Sequence, residues 1–215
     1  MRKFLLALSA MLLGSVAWAQ VGIVTGLTTS ELEADAFGGF ETATAFHSHI
    51  GLAYKIPLGL GFALQPEVLY NNKGTAVEGS RPPIHSIDLK MGYVEAGMQM
   101  QLGVDLLLAR PYLFVEPFVG GAVRNFWRAK DLSGTEIGTR ENDWGSLNKF
   151  GYGLGAGVGL DVADRLQLSV KFFWNGGSLC DLSELRLDDY WQFIGNIIKD
   201  GDHFNGLNVT LGLFF

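Results

Sequence analysis

From residue 20 onward, apolar and polar positions alternate with a period of two in eight runs, near 20–25, 46–56, 61–71, 92–103, 111–124, 149–162, 166–175 and 206–215. Such alternation puts successive side chains on opposite faces of an extended strand. One face reads Phe46, Ile50, Leu52 and Tyr54, then Phe62, Leu64, Val68 and Tyr70, and continues through Val115, Leu154 and Phe172 without a charge. The other carries His47, His49, Lys55, Gln65, Glu67, Glu95, Gln99, Gln101, Glu116, Arg124, Asp161, Gln167 and Lys171, with a glycine at every second position from Gly151 to Gly159.

A soluble sandwich would bury the apolar face, and a membrane barrel would turn it to lipid, so alternation alone does not choose. The ends of the runs do. Phe46, Tyr70, Phe150, Tyr152 and Trp174 gather towards one rim and Tyr54, Phe62 and Phe215 towards the other, as expected of two aromatic girdles. Connections alternate too: short turns at 57–60, 104–110 and 163–165 interleave with long segments near 26–45, 72–91, 125–148 and 176–205. Short periplasmic turns and long external loops belong to outer-membrane barrels. The pattern therefore predicts an all-β protein, an eight-stranded antiparallel up-and-down transmembrane barrel, with both termini periplasmic and one external loop helical. The last run, 206–215, ends on an aromatic where a girdle residue belongs.

The first residues change the picture by adding a route to that membrane. Arg2 and Lys3, an apolar run from Phe4 to Leu13, and Ala17-Trp18-Ala19 before Gln20 follow the order of a secretory signal peptide. Residues 1–19 are expected to be that peptide, and residues 20–215 the barrel domain. Without Arg2 and Lys3 the basic count falls from 16 to 14 against 22 acidic residues, giving a formal net charge of −8. An acidic chain with no basic stripe argues against nucleic acid. Cys180 has no second cysteine to pair with. With 29 glycines, only 18% charged residues and a mean hydropathy of +0.20, the chain is apolar on average yet never apolar for long.

Three stretches resemble the PorT-like family of outer-membrane β-barrels. They are "LQPEVLYNNKG" at 64–74, the most specific, "YVEAGMQMQL" at 93–102 and "RPYLFVEPFVGGAVRN" at 110–125. The second has Gly97 where that family usually has proline, and residues 176–204 depart from it. The resemblance implies an outer-membrane barrel and no catalytic set to carry over.

An eight-stranded barrel is just wide enough for its own side chains to fill it. The polar face then becomes a lumen in which buried charges need partners. Lys55, Glu67, Glu95, Glu116, Arg124 and Lys171 are expected to form an interior charge network, with Lys171 bridging acids and Lys55 and Arg124 reaching in from either end. The glycines of 151–159 leave room for Tyr112, Phe114, Phe118 and Phe173. "GYGLGAGVG" lacks the lysine and spacing of a phosphate loop. His47 and His49 lie two apart but without a third ligand, so neither metal nor cofactor is expected. Ser48 faces lipid beside them, the one feature suggesting a lipid-modifying enzyme, yet no partner carboxylate is identifiable, and no catalytic residue is assigned. Pro66 and Pro117 lack the N–H a closed ladder requires, so a bulge or unpaired position is expected at each.

The long segment after the seventh run has a different period. Tyr190, Trp191, Ile194, Ile197 and Ile198 share one helical face, with Asp188 and Asp189 at its start and Gly201 after its end. This helix is a candidate partner-binding element. Expected partners are outer-membrane lipid and a protein reached through the external loops. The role that follows is structural or surface interaction, with an accessory subunit of a secretion or uptake assembly as the alternative.

Overall fold

The computed structural model describes residues 20–32, 40–43, 45–81, 84–131, 133–142, 149–176 and 204–215. The signal peptide expected at 1–19 and the helix expected at 187–199, with Tyr190, Trp191, Ile194, Ile197 and Ile198, lie outside them.

Ten strands are described: β1 (Gln20–Leu32), β2 (Phe40–Ala43), β3 (Ala45–Gly59), β4 (Phe62–Arg81), β5 (Ile84–Gly103), β6 (Ala109–Lys130), β7 (Glu136–Glu141), β8 (Phe150–Val162), β9 (Leu166–Gly176) and β10 (Phe204–Phe214). Eight of them close a ring in the order β1-β3-β4-β5-β6-β8-β9-β10, with β10 pairing back onto β1 from Gly22–Phe214 to Leu32–Phe204. Every pairing is antiparallel. The chain is a closed eight-stranded antiparallel barrel, in which no backbone edge faces hydrocarbon. The short strands β2 and β7 extend β4 and β6 beyond the ring.

Two turns at the end bearing the termini, at 59–61 and 163–164, are tight because their residues accept left-handed backbone. Ala163 and Asp164 both have positive φ, which matches the two-residue hairpin turn whose twist fits the strands it joins. At the opposite end, strands replace what alternation read as loops. β4 and β5 run on as a hairpin to Arg81 and Ile84, and β6 and β7 form another around Asp131. There the Ser133 hydroxyl and the Thr135 and Ser133 amides donate to the Asp131 carboxylate and hold it below the usual carboxylate range.

The outward face is apolar and exposed along the ring, including Leu52, Val68, Val115, Leu154, Val158 and Leu168. The lumen is filled. Tyr112, Phe114, Phe118 and Phe173 are buried in it, each allowed to lie flat by a glycine next door. A Cβ at Gly159, Gly157 or Gly153 would stand 2.2, 2.7 or 2.4 Å from the rings of Tyr112, Phe114 and Phe118 respectively. Phe173 uses Gly206 of β10 instead, 2.8 Å from where its Cβ would be.

Both prolines leave gaps without shifting register. Pairing of β3 with β4 skips from Ala53–Glu67 to Ile56–Leu64, and pairing of β5 with β6 from Gly97–Phe118 to Met100–Val115. Pro66 and Pro117 fall inside those gaps. The ladder does shift register elsewhere: Gly92 pairs Arg124 and Tyr93 pairs Ala122, so β6 carries an extra residue, Val123.

Candidate functional site

That extra residue decides which charges reach the lumen. Along β6 the even positions from Tyr112 to Ala122 point inward, but after Val123 the odd position Asn125 is buried instead. Arg124 is therefore turned outward. Its side chain is 59% exposed and meets Glu141 of β7 at 3.9 Å, so it is no part of the interior network expected of it. The bulge reversed the parity on which that expectation rested.

The other five residues do face inward. Lys171 of β9 reaches Glu116 of β6 at 2.6 Å and Glu67 of β4 at 3.7 Å, bridging two acids. Lys55 pairs with Asp161 near the end bearing the termini. Glu95 binds Lys73 at 2.5 Å. Reading the sequence passed over Lys73, Arg110, Asp161 and Asn71 as members of this set. Lys73 falls in a segment that alternation reads as loop, although it continues the odd inward positions Ala63 to Asn71 by one step.

From the end bearing the termini, one chain of contacts runs up the lumen. Arg110 donates to Asp161, Gln101 and the Gly61 carbonyl, at 3.0, 3.0 and 2.8 Å. Gln167 joins Asp161 to Gln65 through two 3.0 Å bonds. Gln101 donates to Gln65 and Gln99, and Gln99 donates to Glu67 at 3.0 Å. Lys171 and Glu116 complete the run. Each glutamine both donates and accepts, so these buried amides are satisfied by one another.

A second cluster lies above it. The Lys73 ammonium, 1% exposed, sits 4.5, 4.9 and 5.5 Å from the ring centroids of Phe173, Phe118 and Tyr93, with Asn175 Oδ1 at 3.1 Å. Such faces attract a cation, more so when it is desolvated. Beside it Asn71 donates to Glu95 and accepts from Thr28, both at 2.8 Å. Thr28 has one proton and spends it on Asn71, so at 2.9 Å it accepts from His49 Nδ1. His49 is thus protonated at Nδ1, with Thr210 at 3.0 Å from Nε2.

Among the described residues this lumen sets the basic Lys55, Lys73, Arg110 and Lys171 against the acidic Glu67, Glu95, Glu116 and Asp161. Among the described residues no group of three or more His, Cys, Asp or Glu is placed to hold a metal ion. The Ser48 hydroxyl has no hydrogen-bonded acid or base among them, and the Ser48 carbonyl accepts from Asn72 at 3.0 Å.

An apolar outer wall, a closed ring and a polar, filled lumen define a small barrel of the outer-membrane type. A family model described as outer membrane protein beta-barrel domain matches residues 20–179, and the chain belongs to that family. The family is one of the bacterial outer membrane. Among solved structures the chain is similar to Neisserial surface protein A, at 14% identity over 92% of this chain and 99% of that one, with a TM-score of 0.45. It is also similar to Ail, the attachment invasion locus protein of Yersinia pestis, at 10% identity over 92% and 99% and a TM-score of 0.44. OprG from Pseudomonas aeruginosa is similar at 11% identity over 92% and 96%, with a TM-score of 0.35. No curated protein matches the chain.

Proposed function

We propose that this chain is a non-conducting, non-enzymatic outer-membrane barrel that serves as a structural or surface-interaction module. The observation that carries this reading is the filled lumen: paired charges from Arg110 to Glu116, then Lys73 among three aromatic rings. A paired and hydrogen-bonded interior is costly to open, because each separated charge would stand alone in a low dielectric. Purified protein in planar bilayers should give little ion current; large, stable open-pore currents would overturn the reading.

On this proposal both termini are periplasmic and the extended hairpins are external, supported by the tight turns at one end and the longer connections at the other. An amino-terminal signal peptide over 1–19 accounts for export. The stretch at 64–74 supports a PorT-like placement within the family. Specificity would then lie in the external segments, above all 187–199, which the sequence reads as a helix whose face of Tyr190, Trp191, Ile194, Ile197 and Ile198 is too apolar to leave in water. Co-purification from solubilised outer membrane, with and without 187–199, tests that assignment, and unchanged recovery of partners would remove it.

A further inference from the structure

The barrel wall is split at the end opposite the termini. Pairing of β3 with β4 ends at His49–Asn71 and resumes only in β2, at Ala43–Ala76, one residue out of register. Ser30 of β1 takes over from the missing rungs, accepting from the Gly74 amide at 2.8 Å and donating to its carbonyl at 2.6 Å. Asn72 bridges to the Ser48 carbonyl. Between them opens a cavity of about 420 Å³ that reaches across β4 to the outer faces of β5 and β6.

Its lining is rich in cationic donors whose contacts to acids are long or, among the described residues, missing. Lys90, Arg124 and Arg128 all contribute, the two arginines turned there by the bulge at Val123. Lys90 is exposed and has no ion-pair partner among the described residues. Arg128 Nε is buried without a hydrogen bond, its nearest acid oxygen, on Glu136, being 3.7 Å away. His47 Nε2, against Gly74, is also buried and unpartnered. Asp88, the acid in the lining, is met by Lys130 at 3.5 Å. The exposed Arg124–Glu141 pair at 3.9 Å is the kind that solvent screens almost completely. Such a set of donors suits a compact, multiply charged acceptor.

Its depth narrows the choice. The cavity is floored by Gly92, over which the Tyr70 hydroxyl lies, 2.4 Å from where a Cβ would be, and Tyr70 belongs to the outer aromatic rim with Phe46 and Tyr152. Aromatic girdles mark the headgroup level. We infer that this cavity is a binding site for the phosphate of an outer-leaflet glycolipid, held by Lys90, Arg124 and Arg128 and capped from inside by His47. The volume suits a phosphorylated sugar rather than a bare ion.

The inference rests on the outer-membrane assignment, and the test separates the two. Full-length protein is folded in a non-ionic maltoside, and folding is scored by heat-modifiable migration before any lipid is added. Fluorescent bisphosphorylated lipid A and the same lipid with its phosphates removed are then compared for co-elution. Wild type should retain the bisphosphorylated form at least about tenfold better, the scale of one lost ionic contact set in a polar site. The triple variant Lys90→Gln, Arg124→Gln, Arg128→Gln should lose that preference while keeping its folded band. Equal retention of the two lipids by wild type would overturn the proposal, and needs no variant. So would an unchanged preference in the folded variant. Inorganic phosphate binding as tightly as the lipid would overturn the glycolipid as occupant.

Discussion

Lys171 of β9 crosses the face of β8 to meet Glu116 of β6 at 2.6 Å, and it does so over Gly155, where a Cβ would stand 2.7 Å from the lysine Cδ. The glycine lane and the ion pair are therefore one device. A side chain at 155 would lift the ammonium off the carboxylate, and the strand between the partners would become a wall.

Removing that ammonium strands two acids in the lumen. Lys171→Met should destabilise the barrel by about 3–5 kcal/mol, the cost of leaving a buried charge unpaired. The shift in urea midpoint of the folded, heat-modifiable form in lipid vesicles reads it. Adding Glu116→Gln and Glu67→Gln should recover a large part of the loss; no recovery would mean that Lys171 acts through packing alone.

Lys73 and Arg124 test the same point at opposite exposures. Lys73→Met removes the partner of Glu95 at a site 1% exposed and should again cost about 3–5 kcal/mol. Arg124→Gln breaks a pair in which both side chains are more than half exposed and should change stability by no more than about 1 kcal/mol. Equal effects in vesicle-based urea titrations would contradict the outward turn at Val123.

The glycine lane makes a graded prediction. At Gly157 a Cβ would approach the Phe114 ring to 2.7 Å and the Val170 carbonyl to 2.2 Å, so Gly157→Val should cost about 1–3 kcal/mol or more through overpacking. At Gly151 the nearest atom is 3.7 Å away, and Gly151→Ala should be tolerated. Refolding yield into vesicles ranks the two, and a reversed order would refute the account of the lane.

The outer wall is tested by charge. Leu154, half exposed on the outward face of β8, should cost about 2–4 kcal/mol when replaced by lysine if it lies near the bilayer midplane. The same replacement at the outward rim residue Phe46 should cost much less, since a lysine there can reach the interface. A flat profile across depth would be incompatible with a membrane-facing wall.

Alternation by itself determined the architecture here. A charge-free face, aromatics at the ends of the runs and short turns between alternate pairs are local properties, and local properties specify an eight-stranded barrel and the inward set Lys55, Glu67, Glu95, Glu116 and Lys171. Which of those charges meet is another matter. Lys171 joins Glu116 across β8, and Lys73 joins Glu95 across one pairing, because register and shear bring them level, and neither is written in the spacing of residues along one strand. Arg124 shows the limit most plainly. Period two assigns it to the lumen, and a single extra residue, Val123, sends it outward, since in a strand one step exchanges the faces. That bulge is a shift of β6 against Gly92 and Tyr93 of β5, a relationship between two strands that the paired ladder shows and the spacing along one strand does not.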